Sequence, residues 1–256
     1  MPGKVYFASD FHLGMDARLT STEREKKIVR WLDMVSKDAE AIYLVGDVFD
    51  YWFEYKNTVP KGFLRILGKL ADMRDQGVPV YFFTGNHDMW VFRYFENELG
   101  IPTYRRPITR EILGKTFFIG HGDGLGPGDR GYKMLKAIFS NPISQWAFRW
   151  IHPDIGLPLM RFFSQTSRKY TGDEAPFTNP DKEWLVQFAN NHCQSNDIDF
   201  YIFGHRHLPI DYQVTTGNAR YINLGEWMHA CSYGVWDGTT FEIMFFESDI
   251  THIYGM

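Results

Sequence analysis

Cysteine is scarce in this chain. Cys193 and Cys231 are the only two in 256 residues and form no C-x-x-C pair, a usage that suits a reducing compartment and leaves no C-x-x-C redox or zinc motif. No stretch approaches the roughly 20 consecutive apolar residues that a membrane-spanning helix needs. The amino-terminal MPGKVYFASD enters a strand at once, without the apolar core of a signal peptide. The expectation is a cytoplasmic protein that at most rests on a membrane surface. Charge of one sign is also lacking: 27 Lys and Arg against 31 Asp and Glu leave a formal charge of −4, no footing for broad nucleic-acid binding. There are no internal repeats and no low-complexity tracts. What is plentiful is apolar and aromatic side chain, 44% and 17% of the chain, enough to fill the core of one large domain over residues 1–256.

The first hundred residues alternate strand and helix. KVYFAS reads as a strand, followed by the loop DFHLG. Thr22 with Glu25 has the spacing of a capping box, and Ile28, Trp31, Leu32 and Val35 then follow helical periodicity. AIYLV is a second strand. Phe63, Ile66, Leu67, Leu70 and Met73 mark a second helix, which Gly77 and Pro79 stop. VYFF is a third strand. Such alternation predicts parallel β-α-β units. REILGKTFFIGHGD reads as a hairpin turning near Gly114-Lys115, and YGVWDGTTFEIMFF as another around Asp237-Gly238. Between them, residues of about 127–196 carry helical patterns and several prolines without evident strands. The reading is a two-sheet α/β core with a helical cap insertion.

The strand ends carry the chemistry. ASDFHLG gives Asp10 and His12, LVGDVFDYW gives Asp47, and FTGNHD gives Asn86, His87 and Asp88. FIGHGDG gives His121, and IFGHRH gives His205 and His207. In α/β sheets the carboxyl ends of strands are where sites are built. Asp10, His12, Asp47, Asn86, His121, His205 and His207 offer nitrogen or oxygen donors and no sulfur, a set suited to Mn, Fe or Zn rather than to a soft metal. A carboxylate can bridge two cations, and Asp47 stands where it could. The glycines before Asp47, Asn86, His121 and His205 are expected to let the backbone turn sharply and aim these side chains inward. D-x-H or G-D alone means little, since such pairs are common in loops. Five pieces in order, each at a strand end, are hard to explain by structure alone.

The ordered set D-x-H, G-D, G-N-H-D, G-H and G-H-x-H resembles the calcineurin-like metallophosphoesterases, from Asp10 to His207. The resemblance implies a four-layer α/β/β/α sandwich and two divalent metal ions, manganese foremost, with iron or zinc as alternatives. By motif position, Asp10, His12, Asp47 and His207 would hold the first metal, and Asp47, Asn86, His121 and His205 the second. His87 would act as transition-state stabiliser or proton donor, with Asp88 orienting it. A non-catalytic protein-binding scaffold of the same fold should have lost ligands or that histidine, and none is missing here.

GDVFDYW, HGDGLGPGDRGY and LGEW are similar, more narrowly, to the UDP-2,3-diacylglucosamine hydrolases of lipid A biosynthesis. Those enzymes hydrolyse one phosphoanhydride of the nucleotide sugar to UMP and an acylated glucosamine 1-phosphate. That likeness implies substrate contacts at Asn86, His87, Asp129, Tyr132, Ser167 and His205, and a lipid-linked nucleotide sugar as substrate. Residues 137–163, rich in aromatics with Arg149 and Arg161 among them, would suit acyl chains, a diphosphate and contact with the inner membrane surface. The chain departs from that narrower family at His87, where arginine is usual. This keeps another nucleotide or lipid phosphoester open as substrate.

Overall fold

The computed structural model describes residues 3–128, 130–171 and 176–255, without the side chains of residues 165 and 167–171. The chain begins with the strand β1 (Lys4–Ala8), the helix α1 (Ser21–Val35) and β2 (Ala39–Val45), followed by α2 (Leu64–Asp75), β3 (Val80–Phe83), α3 (Tyr94–Leu99) and β4 (Thr103–Tyr104). A hairpin, β5 (Ile108–Ile112) and β6 (Lys115–Ile119), leads into α4 (Arg130–Phe139), α5 (Pro142–Arg149), α6 (Pro153–Thr171) and α7 (Trp184–His192). The chain closes with β7 (Phe200–Phe203), β8 (Pro209–Gln213), β9 (Arg220–Leu224), β10 (Ser232–Trp236) and β11 (Phe241–Phe245).

These strands form a six-stranded sheet in the order β11-β10-β1-β2-β3-β4 and a five-stranded sheet in the order β5-β6-β7-β9-β8. β1 to β4 run parallel, as do β6, β7 and β9, while β10, β11, β5 and β8 are antiparallel to their neighbours. Strand alternation sorts side chains into layers. Val5, Phe7, Tyr43 and Val45 face Phe117, Ile119, Phe200 and Ile202 in the core between the sheets. Tyr6, Ala8, Ile42 and Leu44, on the other face, pack on Ile28, Trp31 and Leu32 of α1 and on Ile66 and Leu70 of α2. Phe118, Tyr201 and Phe203 meet Leu185, Val186 and Ala189 of α7. Two buried faces per central strand explain why these segments read as unbroken apolar runs. The result is the four-layer α/β/β/α sandwich.

Several local expectations are corrected. The capping box of α1 is Thr20 with Glu23, not Thr22 with Glu25. The S/T-x-x-E pattern occurs twice in TSTERE, and burial of Glu25 decides between the two. Its Oε1 accepts the backbone N–H groups of Arg65 and Ile66, capping α2, whose own N-cap residue Phe63 supplies no side-chain bond. The first hairpin turns on Leu113-Gly114, both at positive φ, one residue earlier than expected. The last hairpin has a four-residue loop, 237–240, because the Asp237 carboxylate accepts from Thr239 and Thr240 and opens the turn.

α4, α5 and α6 sit against the sandwich through a separate apolar cluster: Phe53, Tyr55 and Trp90 from the core meet Phe139, Phe148, Leu157 and Met160. Trp90 Nε1 donates to the carbonyl of Phe139 at 2.8 Å, pinning the end of α4. The outer surface of these helices exposes Met134, Ile143, Trp146, Trp150, Ile155, Phe162 and Phe163. Among the described residues, no helix is long and apolar enough to cross a membrane.

Candidate metal centre

Parallel, in-register strands bring their carboxyl ends to one rim. β1, β2 and β3 end at Ala8, Val45 and Phe83, and β6 and β7 at Ile119 and Phe203. The loops beyond them cross the gap between the sheets. Asp10 N–H donates to Gly46 O, His12 N–H to Asp47 O, and His205 N–H to Asp10 Oδ2, each at 3.0 Å.

The backbone at this rim is strained at the candidate ligands themselves. Asp10, His12, Asp47, His205 and His207 have φ between 44° and 70°, a left-handed conformation that costs residues with a Cβ about 1–3 kcal/mol each and clusters at functional sites. The glycines have a different job from the one expected. Gly46 does turn with positive φ, but Gly85 and Gly204 do not. They are small because a Cβ there would press on Asp47 and on Asp10 respectively.

The structure brings the seven candidate donors together in two neighbouring groups. In the first, His12 Nε2 lies 3.1 Å from His207 Nε2, and Asp10 Oδ1 lies 3.2 Å from His207 Nε2 and 3.7 Å from His12 Nε2. In the second, His121 Nε2 is 3.2 Å from both Asp47 Oδ2 and Asn86 Oδ1, and His205 Nδ1 is 3.0 Å from Asn86 Oδ1. Asp47 Oδ2 is also 3.9 Å from His12 Nε2, which places this carboxylate between the groups. His87 too comes within ligand reach of His12 and Asp47.

These residues fit divalent cations. Ligand atoms about 2.1 Å from one ion stand roughly 3.0–3.4 Å from each other, the spacing of most of the pairs in both groups. Asp10 Oδ1 is buried with no hydrogen-bond partner, although two imidazole nitrogens face it. The titration behaviour agrees. Burial pushes Asp10 up, but the facing imidazoles of His12 and His207 outweigh it and hold the carboxyl well below its ordinary range. Asp47 is likewise buried, and the charges of His121 and His87 hold it low. Burial pulls His12 down, yet Asp10 and Asp50 push it up to about 10; His121 is raised in the same way by Asp47. His205 falls to about 4 through burial and the charge of His121. The two buried carboxylates thus draw positive charge to this rim, which a divalent cation can supply.

Other expected residues fall differently. Asp88 does not serve as the partner expected for His87. Its carboxylate accepts the backbone N–H groups of Val48, Phe49 and Gly85, locking the Asp47 loop onto the Asn86 loop. Burial and the charge of Asp47 push it up to about 7. The groups at His87 Nδ1 are the Asp50 carbonyl and Ser164 Oγ, both at 3.1 Å. Tyr132 stands beside His205, its ring 6.4 Å away and its hydroxyl donating to Asp123. Asp129 lies outside the described residues, as does the side chain of Ser167.

Three residues escaped sequence reasoning. Arg24 is fully buried and donates to the carbonyls of Phe11, His12, Met15 and Leu19, fastening the loop that carries Asp10 and His12. Asp50, also buried, places Oδ1 3.4 Å from His12 Nδ1. Asp123 anchors Tyr132 and Lys136 of α4 beside His121. The second aspartate of GDVFD and the aspartate of HGD were visible signals. A helical arginine at position 24 was not.

The family model of calcineurin-like phosphoesterases matches residues 3–209, which include every donor of both groups. The chain is a calcineurin-like phosphoesterase. Among relatives of this phosphoesterase, a UDP-2,3-diacylglucosamine hydrolase of Porphyromonas gingivalis is 39% identical over 94% of this chain and 96% of its own length. One from Aeromonas hydrophila is 28% identical over 86% and 89%. Among solved structures, the phosphoesterase Yfce from E. coli aligns over 95% of this chain and 93% of its own, at 16% identity and a TM-score of 0.48. As a calcineurin-like phosphoesterase, the protein is a metal-dependent hydrolase.

Proposed function

We propose that the protein hydrolyses the phosphoanhydride of UDP-2,3-diacylglucosamine to UMP and 2,3-diacylglucosamine 1-phosphate, the step of lipid A biosynthesis named for its relatives. The observation that carries this reading is an apolar, partly basic cap seated beside a phosphoesterase centre, in a chain 39% identical to such a hydrolase along almost its whole length. Exposed Ile143, Trp146, Trp150 and Phe162 offer an apolar surface for acyl chains and for the cytoplasmic face of the inner membrane. Arg149 lines a surface hollow together with Trp146, where its guanidinium can meet phosphate charge.

Asp10, His12, Asp47 and His207 would hold one divalent cation, and Asp47, Asn86, His121 and His205 a second, manganese suiting these oxygen and nitrogen donors. When bound, such cations acidify a water for attack on phosphorus and neutralise phosphate oxygens. The rest falls to the chain. Asp88 and Arg24 hold the ligand loops. At His87 the Asp50 carbonyl can only accept, so the 3.1 Å contact puts a proton on Nδ1 and leaves Nε2 to exchange a proton with the phosphoester.

One residue favours a second reading. His87 stands where the narrower family usually has arginine, which supports a related nucleotide or lipid phosphoester as substrate. A product assay with UDP-2,3-diacylglucosamine and Mn²⁺ tests the choice. Release of UMP and acylated sugar phosphate is expected, and turnover of other phosphodiesters without it would transfer the assignment to the second reading.

A further inference from the structure

Ser164 belongs to α6, a cap helix, yet its side chain is buried among core residues 77 and 114 positions away in sequence. Its Oγ donates to Asp50 Oδ2 at 3.0 Å and lies 3.1 Å from His87 Nδ1. The other Asp50 oxygen lies 3.4 Å from His12 Nδ1 and 3.8 Å from His87 Nδ1. With the hydroxyl proton directed to the carboxylate, Ser164 Oγ presents a lone pair to His87, as the Asp50 carbonyl does. Nδ1–H is thus offered two acceptors from two different parts of the fold.

We infer that Ser164 is a positioning residue: delivered by the cap, its hydroxyl fixes the ring orientation of His87 together with Asp50, so that seating of α6 and alignment of His87 are one event. A one-bond error in the placement of a proton-transfer group costs rate rather than affinity. The inference rests on the hydrolase chemistry proposed above and not on the acylated substrate.

The test is Ser164→Ala in the full-length, metal-loaded enzyme, assayed on an aryl phosphodiester. Turnover should fall about tenfold, with KM within about twofold, since one oriented hydrogen bond is lost. Metal content should not change. In a His87→Ala background the same substitution should add nothing, because both changes act through one imidazole. Nitrogen-15 histidine spectra should give one sharp Nδ1–H signal for His87 in the wild type and a shifted, broadened one in Ser164→Ala, where only the Asp50 carbonyl still holds the ring. Additive losses in the double variant, a raised KM at intact kcat, or an undisturbed His87 spectrum would each overturn the inference. A wild type inactive on every phosphoester would count against the proposed chemistry, while the spectrum would still decide the role of Ser164.

Discussion

Gly85 lies against Asp47 so closely that a Cβ on it would come within 2.7 Å of the Asp47 backbone nitrogen and would strike its carboxylate. The loop carrying Asn86 and the loop carrying the central carboxylate can share this rim only if residue 85 has no side chain. Gly85→Ala should therefore overpack the rim, costing about 1–3 kcal/mol. Thermal melts should show the lower stability, and metal analysis should show loss of bound cation.

Asp47 has His12 on one side and His121 on the other, at 3.9 and 3.2 Å. Asp47→Ala should remove the one carboxylate common to both groups and lower turnover by about 10³ or more, because neither the water nor the phosphate keeps its charge stabilisation. His121→Ala leaves Asp10, His12 and His207 together and should retain about half of the cation that the wild type binds. Metal analysis alongside kinetics checks both.

His87 bonds to the backbone and to Ser164 through Nδ1, which on the proposed chemistry leaves Nε2 for proton transfer. His87→Ala should keep its metal and lose turnover by about 10²–10⁴, the scale of a positioned acid or charge stabiliser. Loss of metal instead would make His87 a ligand, as its closeness to His12 and Asp47 allows.

Trp146 and Phe162 are about three-fifths exposed, so truncating them leaves the fold intact. If the cap binds acyl chains, kcat/KM for the diacylated substrate should far exceed that for UDP-N-acetylglucosamine. Four buried methylenes alone are worth about 3 kcal/mol, more than a hundredfold. Trp146→Ala or Phe162→Ala should narrow that gap and spare small-diester hydrolysis. Equal rates on acylated and unacylated substrates would remove the lipid assignment and leave the phosphoesterase standing.

Glu226 is buried, and its carboxylate accepts the backbone N–H groups of Met228, His229 and Ala230. Burial pushes its carboxyl up, but the His229 side chain and the Ala230 N–H outweigh that and hold it below the ordinary range. Below about pH 4.3 the unfolded chain then binds more protons than the folded one, so this stabilisation is present at neutral pH and is lost on acidification. Glu226→Gln should cost about 1–3 kcal/mol at pH 7, in urea titrations, and the gap should close as pH falls below 4.

The sequence by itself determined the strand ends and their donors. A strand buried on both faces is a run of apolar residues, and its end is marked where polar residues with glycine begin. Asp10, Asp47, Asn86, His121 and His205 were therefore legible in order, as was the helical character of the segment between β6 and β7. Only the tertiary structure decided which of two S/T-x-x-E patterns caps α1, because that turned on Glu25 being needed 40 residues away at the start of α2. It alone placed strain on the ligands rather than the glycines, turned Asp88 from His87 to the backbone, and brought Ser164 to His87 across 77 residues. Periodicity and capping act within a few residues of the chain and leave a local pattern. Contacts made when separate layers close on one another are fixed by packing, and no short stretch of sequence records them.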